Sequence, residues 1–111
     1  MKIFLDDIRD PSYVGWTREE SVIVRNYKDF KKTIERNINK VTFISFDHDL
    51  GINNDGTESN GMSCAKLLVE MDLDNVIDIS HLKFQVHSAN PVGKANIEGY
   101  LNGYIERNGI K

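Results

Sequence analysis

Val41-Thr42-Phe43-Ile44-Ser45-Phe46-Asp47-His48-Asp49-Leu50-Gly51 is an apolar run of β-branched and aromatic residues that turns abruptly acidic. A run this short and this continuously hydrophobic reads as a strand covered on both faces, as in a parallel sheet. Lys2–Asp6 (KIFLD) and Ser21–Arg25 (SVIVR) have the same character. Lys83–Ser88 (KFQVHS) is a fourth, more mixed strand, in which Gln85 and His87 alternate against Phe84 and Val86.

Helical patterns lie between and after these strands. Tyr27, Phe30, Ile34 and Ile38 recur at three- and four-residue steps, with Lys28, Lys31, Lys32 and Arg36 on the outer arc. Cys64, Leu67, Leu68 and Met71 repeat the pattern, with Asn60 as the expected N-cap. Ile97, Leu101, Tyr104 and Ile105 make a third stripe, and Gly109 is the expected helix stop. Each stripe is the signature of core packing. The segment Asp7–Glu20 has the dozen or so residues that a right-handed parallel crossover needs. Pro11 and Gly15 make it a poor long helix, so a loop with one turn is expected. Strands alternating with helices predict an α/β fold. The expectation is an open parallel sheet of about four strands, order 2-1-3-4, flavodoxin-like, with helices on both faces. The whole chain, 1–111, reads as one domain without linker or repeat.

Composition narrows the function classes. The 111 residues carry 14 Lys+Arg, 17 Asp+Glu and a net charge of −3, with one cysteine. A lone Cys64 forms no internal disulfide and no Cys-based zinc site. No apolar run approaches the roughly 20 residues of a membrane span, and Asp6 interrupts the N-terminus too early for a signal-peptide core. The expected setting is a soluble, cytoplasmic domain. A pI near 5.5 argues against wrapping duplex nucleic acid. Oligomeric state is not legible.

In open α/β sheets, ligands bind beyond the carboxyl ends of the strands, where strand order reverses. For order 2-1-3-4 that point lies between the first and third strands. The first strand ends in Asp6-Asp7, the third in Asp47-His48-Asp49, and the fourth in His87-Ser88-Ala89-Asn90. Crowded carboxylates repel, and a divalent ion neutralises them. Asp oxygens suit Mg²⁺, and nearby imidazoles extend the choice to Mn²⁺. Asp6, Asp7, Asp47 and Asp49 are therefore the candidate metal ligands, although Asp49 and Asp55 also suit ordinary turn and cap roles. His48 and His87 are candidates for proton transfer, because a histidine pKa lies near working pH. His81 stands outside this cluster. Ser88 and Asn90 are expected to face a phosphate, with Lys94 and the first amides of the last helix adding positive potential. Asn90-Pro91 equally fits a plain helix start.

These residues resemble the metal and phospho-acceptor pocket of response-regulator receiver domains. They are more similar still to the cyclic-phosphate processing receiver-like family. Its opening pattern, Leu-Asp-Asp-x-Arg-x-Pro followed by a Trp, is present as Leu5-Asp6-Asp7-Ile8-Arg9-Asp10-Pro11 with Trp16. Its centre is Asp47-His48-Asp49-Leu50-Gly51. Its last block runs from His87-Ser88-Ala89-Asn90-Pro91 through Gly93 to Asn96-Ile97. Against a standard receiver, no fifth strand is expected to deliver a lysine.

The resemblance implies a metal-dependent activity on a cyclic phosphate, of an RNA terminus or a small nucleotide. Asp6, Asp7 and Asp47 would hold Mg²⁺ or Mn²⁺, and His48 and His87 would exchange protons, with Asp47 at the catalytic centre. Arg9, Ser88, Asn90 and Asn96 would orient the phosphate. Trp16 would either stack on a base or lie over the core. Two alternatives stand beside a phosphodiesterase: a module that sequesters a nucleotide ligand without turnover, and a signalling receiver phosphorylated on Asp47.

Overall fold

The computed structural model describes residues 1–52 and 58–108, so Asp55 and the helix stop at Gly109 lie outside the described residues. In chain order the elements are β1 (Lys2–Leu5), a 3-10 turn (Pro11–Val14), β2 (Ser21–Val24) and α1 (Tyr27–Asn37), followed by a second 3-10 turn (Ile38–Lys40). Then come β3 (Phe43–Phe46), β4 (Asp49–Ile52), β5 (Glu58–Asn60), α2 (Gly61–Leu73), β6 (Lys83–Val86) and α3 (Pro91–Asn108). The four expected strands form one parallel sheet in the order β2-β1-β3-β6, which is the 2-1-3-4 arrangement with β6 as its fourth strand.

Local chemistry starts the helices where the pattern predicts. Asn26 caps α1 through its side-chain oxygen, which accepts from the Asp29 amide at 2.8 Å. Asn60 caps α2 in the same way, accepting from the Ser63 amide at 3.0 Å. Each cap satisfies a backbone donor that the first helical turn leaves unpaired.

Side chains alternate across a strand, so each register row faces one side of the sheet. Ile3, Leu5, Val24, Ile44, Phe46 and Val86 share one face and join a buried cluster with residues of all three α-helices, among them Phe30, Ile34, Leu68, Ile97 and Leu101. Burying a side chain of this size contributes about 1.5–3 kcal/mol, so this face carries most of the stability.

The opposite face is covered differently. Phe4 is fully buried there, Trp16 stands edge-on to Phe4 and Phe43, and the Lys2 ammonium lies 5.0 Å from the Trp16 ring centre. The cover comes from the crossover after β1, in which the 3-10 turn is the only helical piece among the described residues. Helical cover on both faces is thus present but unequal, three α-helices against a single turn. The cause is Pro11 and Gly15, which cut the crossover short; Gly15 closes its turn at φ 80, in the left-handed region.

The antiparallel β4–β5 pair was not expected from the sequence pattern. Neither strand is an apolar run: DLGI mixes Asp and Gly with its two apolar residues, and ESN is wholly polar.

Candidate metal and phosphate site

The first residues beyond the sheet make a polar row. The deepest aligned positions are Val24, Leu5, Phe46 and Val86, so Arg25, Asp6, Asp47 and His87 follow them side by side. Backbone hydrogen bonds carry the parallel ladder into this row. The Asp6 amide donates to Val24, that of Asp47 to Leu5 and that of His87 to Phe46, at 2.9–3.0 Å. By alternation the row belongs to the Phe4 face, and the His87 ring stacks on Phe4 with centroids 4.7 Å apart. The site therefore opens on the thinly covered side of the sheet.

Asp6 is wholly buried. Its Oδ1 accepts from the amides of Ile8 and Arg9 at 3.0 and 2.9 Å, and its Oδ2 faces His87 Nε2 at 3.0 Å and Arg9 Nη1 at 3.6 Å. Burial by itself would raise this carboxyl, but the Arg9 and Ile8 amides, followed by His87, hold it below the usual carboxylate range. Asp47 is also buried, and the one hydrogen bond to its carboxylate among the described residues comes from the His48 amide at 2.9 Å. Burial first, and the Asp6 charge second, push its pKa upward. Two neighbouring carboxylates are thus driven apart, one settled as an anion and the other short of positive charge.

His87 is held at both ring nitrogens. Gln85 Nε2 donates to Ser45 Oγ at 3.0 Å, Ser45 Oγ lies 2.7 Å from His87 Nδ1, and His87 Nε2 reaches Asp6. A neutral ring protonated at Nε2 satisfies every link, with the Ser45 hydroxyl donating to Nδ1. Because a hydroxyl both donates and accepts, Ser45 also supports the other tautomer, which turns the Nε2 lone pair toward the carboxylates.

Asp6, Asp47 and His87 can each offer one ligand atom, and these atoms lie within 4.8 Å of one another. Two carboxylate oxygens and one imidazole nitrogen are a donor set that fits Mg²⁺ or Mn²⁺. A cation there would offset the burial and the Asp6 charge that push Asp47 upward.

The remaining candidates from the sequence are distributed around this trio. Asp7 and Asp49 do not join it. Asp49 is largely exposed and pairs with His48 Nδ1 at 2.9 Å. The His48 ring lies against α3 at Gly93, where an added Cβ would stand 2.4 Å from its Cγ. Arg9 spreads its guanidinium over Tyr13 at 4.6 Å while approaching Asp6.

Ser88 Oγ accepts from the Asn90 amide, and Asn90 Oδ1 accepts from the Gly93 amide, so both serve the start of α3. Asn96 is exposed on α3 and makes none of these contacts, and Lys94 lies 3.9 Å from Glu98. Trp16 packs over Lys2 and Phe43, the first residues of their strands, which is the core-cover alternative and not a place beside the carboxylates.

Several contributors were missed. Arg25 Nη1 donates to the Asp6 carbonyl at 3.1 Å and to the Arg9 carbonyl, shaping the loop that delivers the Asp6 amide contacts. Ser45 and Gln85 were passed over as strand residues. Their signal was available: each is a polar residue in an apolar strand, two positions before a site residue and hence on its face. Tyr13, 56% exposed, stands edge-on to His87 with centroids 5.9 Å apart.

A four-stranded parallel sheet with buried carboxylates just past its central strands defines a receiver-like α/β domain. The description of one family narrows this further. The model of the cyclic-phosphate processing Receiver domain matches residues 1–103, and the chain belongs to that family. No curated protein and no solved structure matches it. No described helix is long and apolar enough to cross a membrane.

Proposed function

We propose that this domain hydrolyses a cyclic phosphate ester of a nucleotide or RNA terminus with the help of Mg²⁺ or Mn²⁺. The observation that carries the reading is the convergence of Asp6, Asp47 and His87 within 4.8 Å, two of them buried carboxylates and one short of countercharge. These three residues would hold the ion, which supplies charge neutralisation at the non-bridging oxygens and a more acidic water.

The protein's own side chains do the rest. Arg9 binds a non-bridging phosphate oxygen as a planar, permanently charged donor, and Tyr13 keeps its guanidinium in place. His87, anchored through Ser45 and Gln85, presents its Nε2 in a fixed direction. With Nδ1 held by Ser45 and Nε2 turned to the carboxylates, it is suited to ligation rather than to shuttling protons. His48 is the group suited to deliver a proton to the departing sugar oxygen, because Asp49 orients its Nδ1 and no partner among the described residues holds its Nε2. Opening the ring breaks one P–O bond, forms another to water, and leaves a phosphate monoester.

The same commitment of His87 favours a second reading, a module that binds the ligand without turnover. Incubation with a panel of 2′,3′-cyclic nucleotides and cyclic oligonucleotides, in Mn²⁺ and in chelator, separates the two. Metal-dependent appearance of the ring-opened monophosphate, lost in Asp47→Asn, is the expected result. Ligand bound tightly and recovered intact would leave only the binding module. Stable labelling of Asp47 by acetyl phosphate would point to the signalling alternative instead.

A further inference from the structure

The exposed aromatic residue beside the carboxylates has no part in the metal site, and nothing in the core requires it. Tyr13 is 56% exposed, yet its backbone is firmly held. Asp10 caps the 3-10 turn by accepting from the Ser12 amide at 3.1 Å, and Arg18 Nε donates to Asp10 at 2.6 Å. The Tyr13 amide donates to Asp10 at 2.9 Å, the Trp16 amide to Pro11 at 3.1 Å, and Pro11 is buried. A large ring on so constrained a turn loses little entropy on meeting a ligand. It is also in the right place, edge-on to His87 and stacked beneath Arg9. Trp16 is not placed to serve this way, since it packs on Phe4 and on Phe43, the first residue of its strand, and not on His87.

We infer that Tyr13 is the base-stacking residue of the site, which makes the substrate a cyclic phosphate carrying an accessible nucleobase rather than a cyclic phosphate of a bare sugar. The inference rests on the cyclic-phosphate reading for the position of the phosphate. Arg9 links the two halves: its guanidinium reaches toward Asp6 on one side and lies on the Tyr13 ring on the other. A phosphate taken by Arg9 places the attached nucleoside along the turn, where the Tyr13 face turned away from Arg9 offers a π-surface that accepts any base. Ile8, 77% exposed on the loop after β1, adds apolar surface to the same segment. Stacking of this kind discriminates weakly among the four bases, so the domain selects for the presence of a base and not for its identity.

The test uses two probes, 2′,3′-cyclic AMP and methyl riboside 2,3-cyclic phosphate, which lacks the base. Binding of each is measured by calorimetry in Mn²⁺, and hydrolysis by chromatography, for the unaltered chain, Tyr13→Ala and Tyr13→Phe. The base-bearing probe is expected to bind about 5- to 100-fold more tightly than the bare one. Tyr13→Ala should close that gap, and Tyr13→Phe should keep it. Because the side chain is more than half exposed, the melting temperature of both variants should stay close to that of the unaltered chain. A gap that survives Tyr13→Ala, or no gap in the unaltered chain, overturns the inference. A Tyr13-dependent gap without hydrolysis of either probe refutes the phosphodiesterase reading and leaves base stacking intact. Equal binding with hydrolysis of both does the reverse, and failure of both probes to bind defeats both.

Discussion

Replacing Gly61 with alanine should damage the candidate metal site through the backbone, without touching a candidate ligand. Gly61 is the first residue of α2, and its amide donates to the His48 carbonyl at 2.7 Å. A Cβ built there would stand 1.9 Å from the Asp47 carbonyl oxygen and 3.0 Å from both the Asp47 carbonyl carbon and Ile97 Cδ1. Real Cβ atoms essentially never come closer than 3.0 Å, so the start of α2 and the end of β3 must separate by about 1 Å. The obstacle is backbone, which cannot swing aside as a side chain would. Overpacking of this kind costs about 1–3 kcal/mol. Losing the bond to His48 adds roughly 0.5–1.5 kcal/mol. Better helix propensity returns at most about 1 kcal/mol.

The net destabilisation of Gly61→Ala is therefore about 0.5–4.5 kcal/mol, and each kcal/mol lowers the melting temperature of a chain this size by about 5 °C. Gly99→Ala is the control. Gly99 sits within α3 with nothing within 4 Å of its would-be Cβ, so alanine there should be neutral or stabilising by up to about 1 kcal/mol. Thermal melts of both variants, with and without Mn²⁺, read the result. Gly61→Ala should melt lower and gain less from the metal, because Asp47 moves with its carbonyl. If Gly61→Ala melts like Gly99→Ala and keeps the full metal response, the close approach is not the constraint described.

Three further outcomes are expected. Gly93→Ala would drive a methyl group into the root of the His48 ring, so turnover should fall at least tenfold, with an overpacking cost of about 1–3 kcal/mol in stability; unchanged kcat would remove His48 from the mechanism. Ser45→Ala strips His87 Nδ1 and Gln85 Nε2 of their shared partner at a fully buried position, and denaturant titration should show a loss of about 1–3 kcal/mol. The two carboxylates should also oppose each other in pH dependence. The raised Asp47 favours folding at low pH, a benefit lost as pH rises through its folded pKa above 3.8; the lowered Asp6 stabilises above 3.8 and loses that contribution as pH falls through its own folded value. Metal-free Asp47→Asn should therefore be more stable than the unaltered chain at pH 7, yet lose most of the gain of about 2.7 kcal/mol that a hundredfold excess of ligand over its Kd confers on a single site. Equal melting of the two metal-free proteins at pH 7 would contradict the assigned shift of Asp47.

The parallel sheet was legible because its strands are nearly continuous apolar runs, and its order followed because right-handed crossovers leave few alternatives. Asn26 and Asn60 begin their helices through chemistry confined to four residues, which needs no tertiary context. The candidate site was legible as a place, since strand ends at the reversal of strand order are read from the topology alone. Asp6, Asp47 and His87 could be gathered at one edge for that reason.

What the one-dimensional pattern could not contain is register and face. Arg25, Asp6, Asp47 and His87 form one row only because Leu5 pairs with Val24 and Phe46, and Phe46 with Val86. That pairing is settled by long-range packing, and a slip of one residue would send each side chain to the other side of the sheet. It separates Asp6 from Asp7, adjacent in the chain, and unites Asp6 with His87, 81 positions away. The amino-acid sequence by itself determined the four strands of the parallel sheet, the three α-helices, their order and the acidic edge, all of which depend on local periodicity and handedness. The tertiary structure alone decided which carboxylates meet, that Ser45 and Gln85 stand behind His87, and that Tyr13 rather than Trp16 faces the site. Those choices are made by register and packing, which no local stretch of chain encodes.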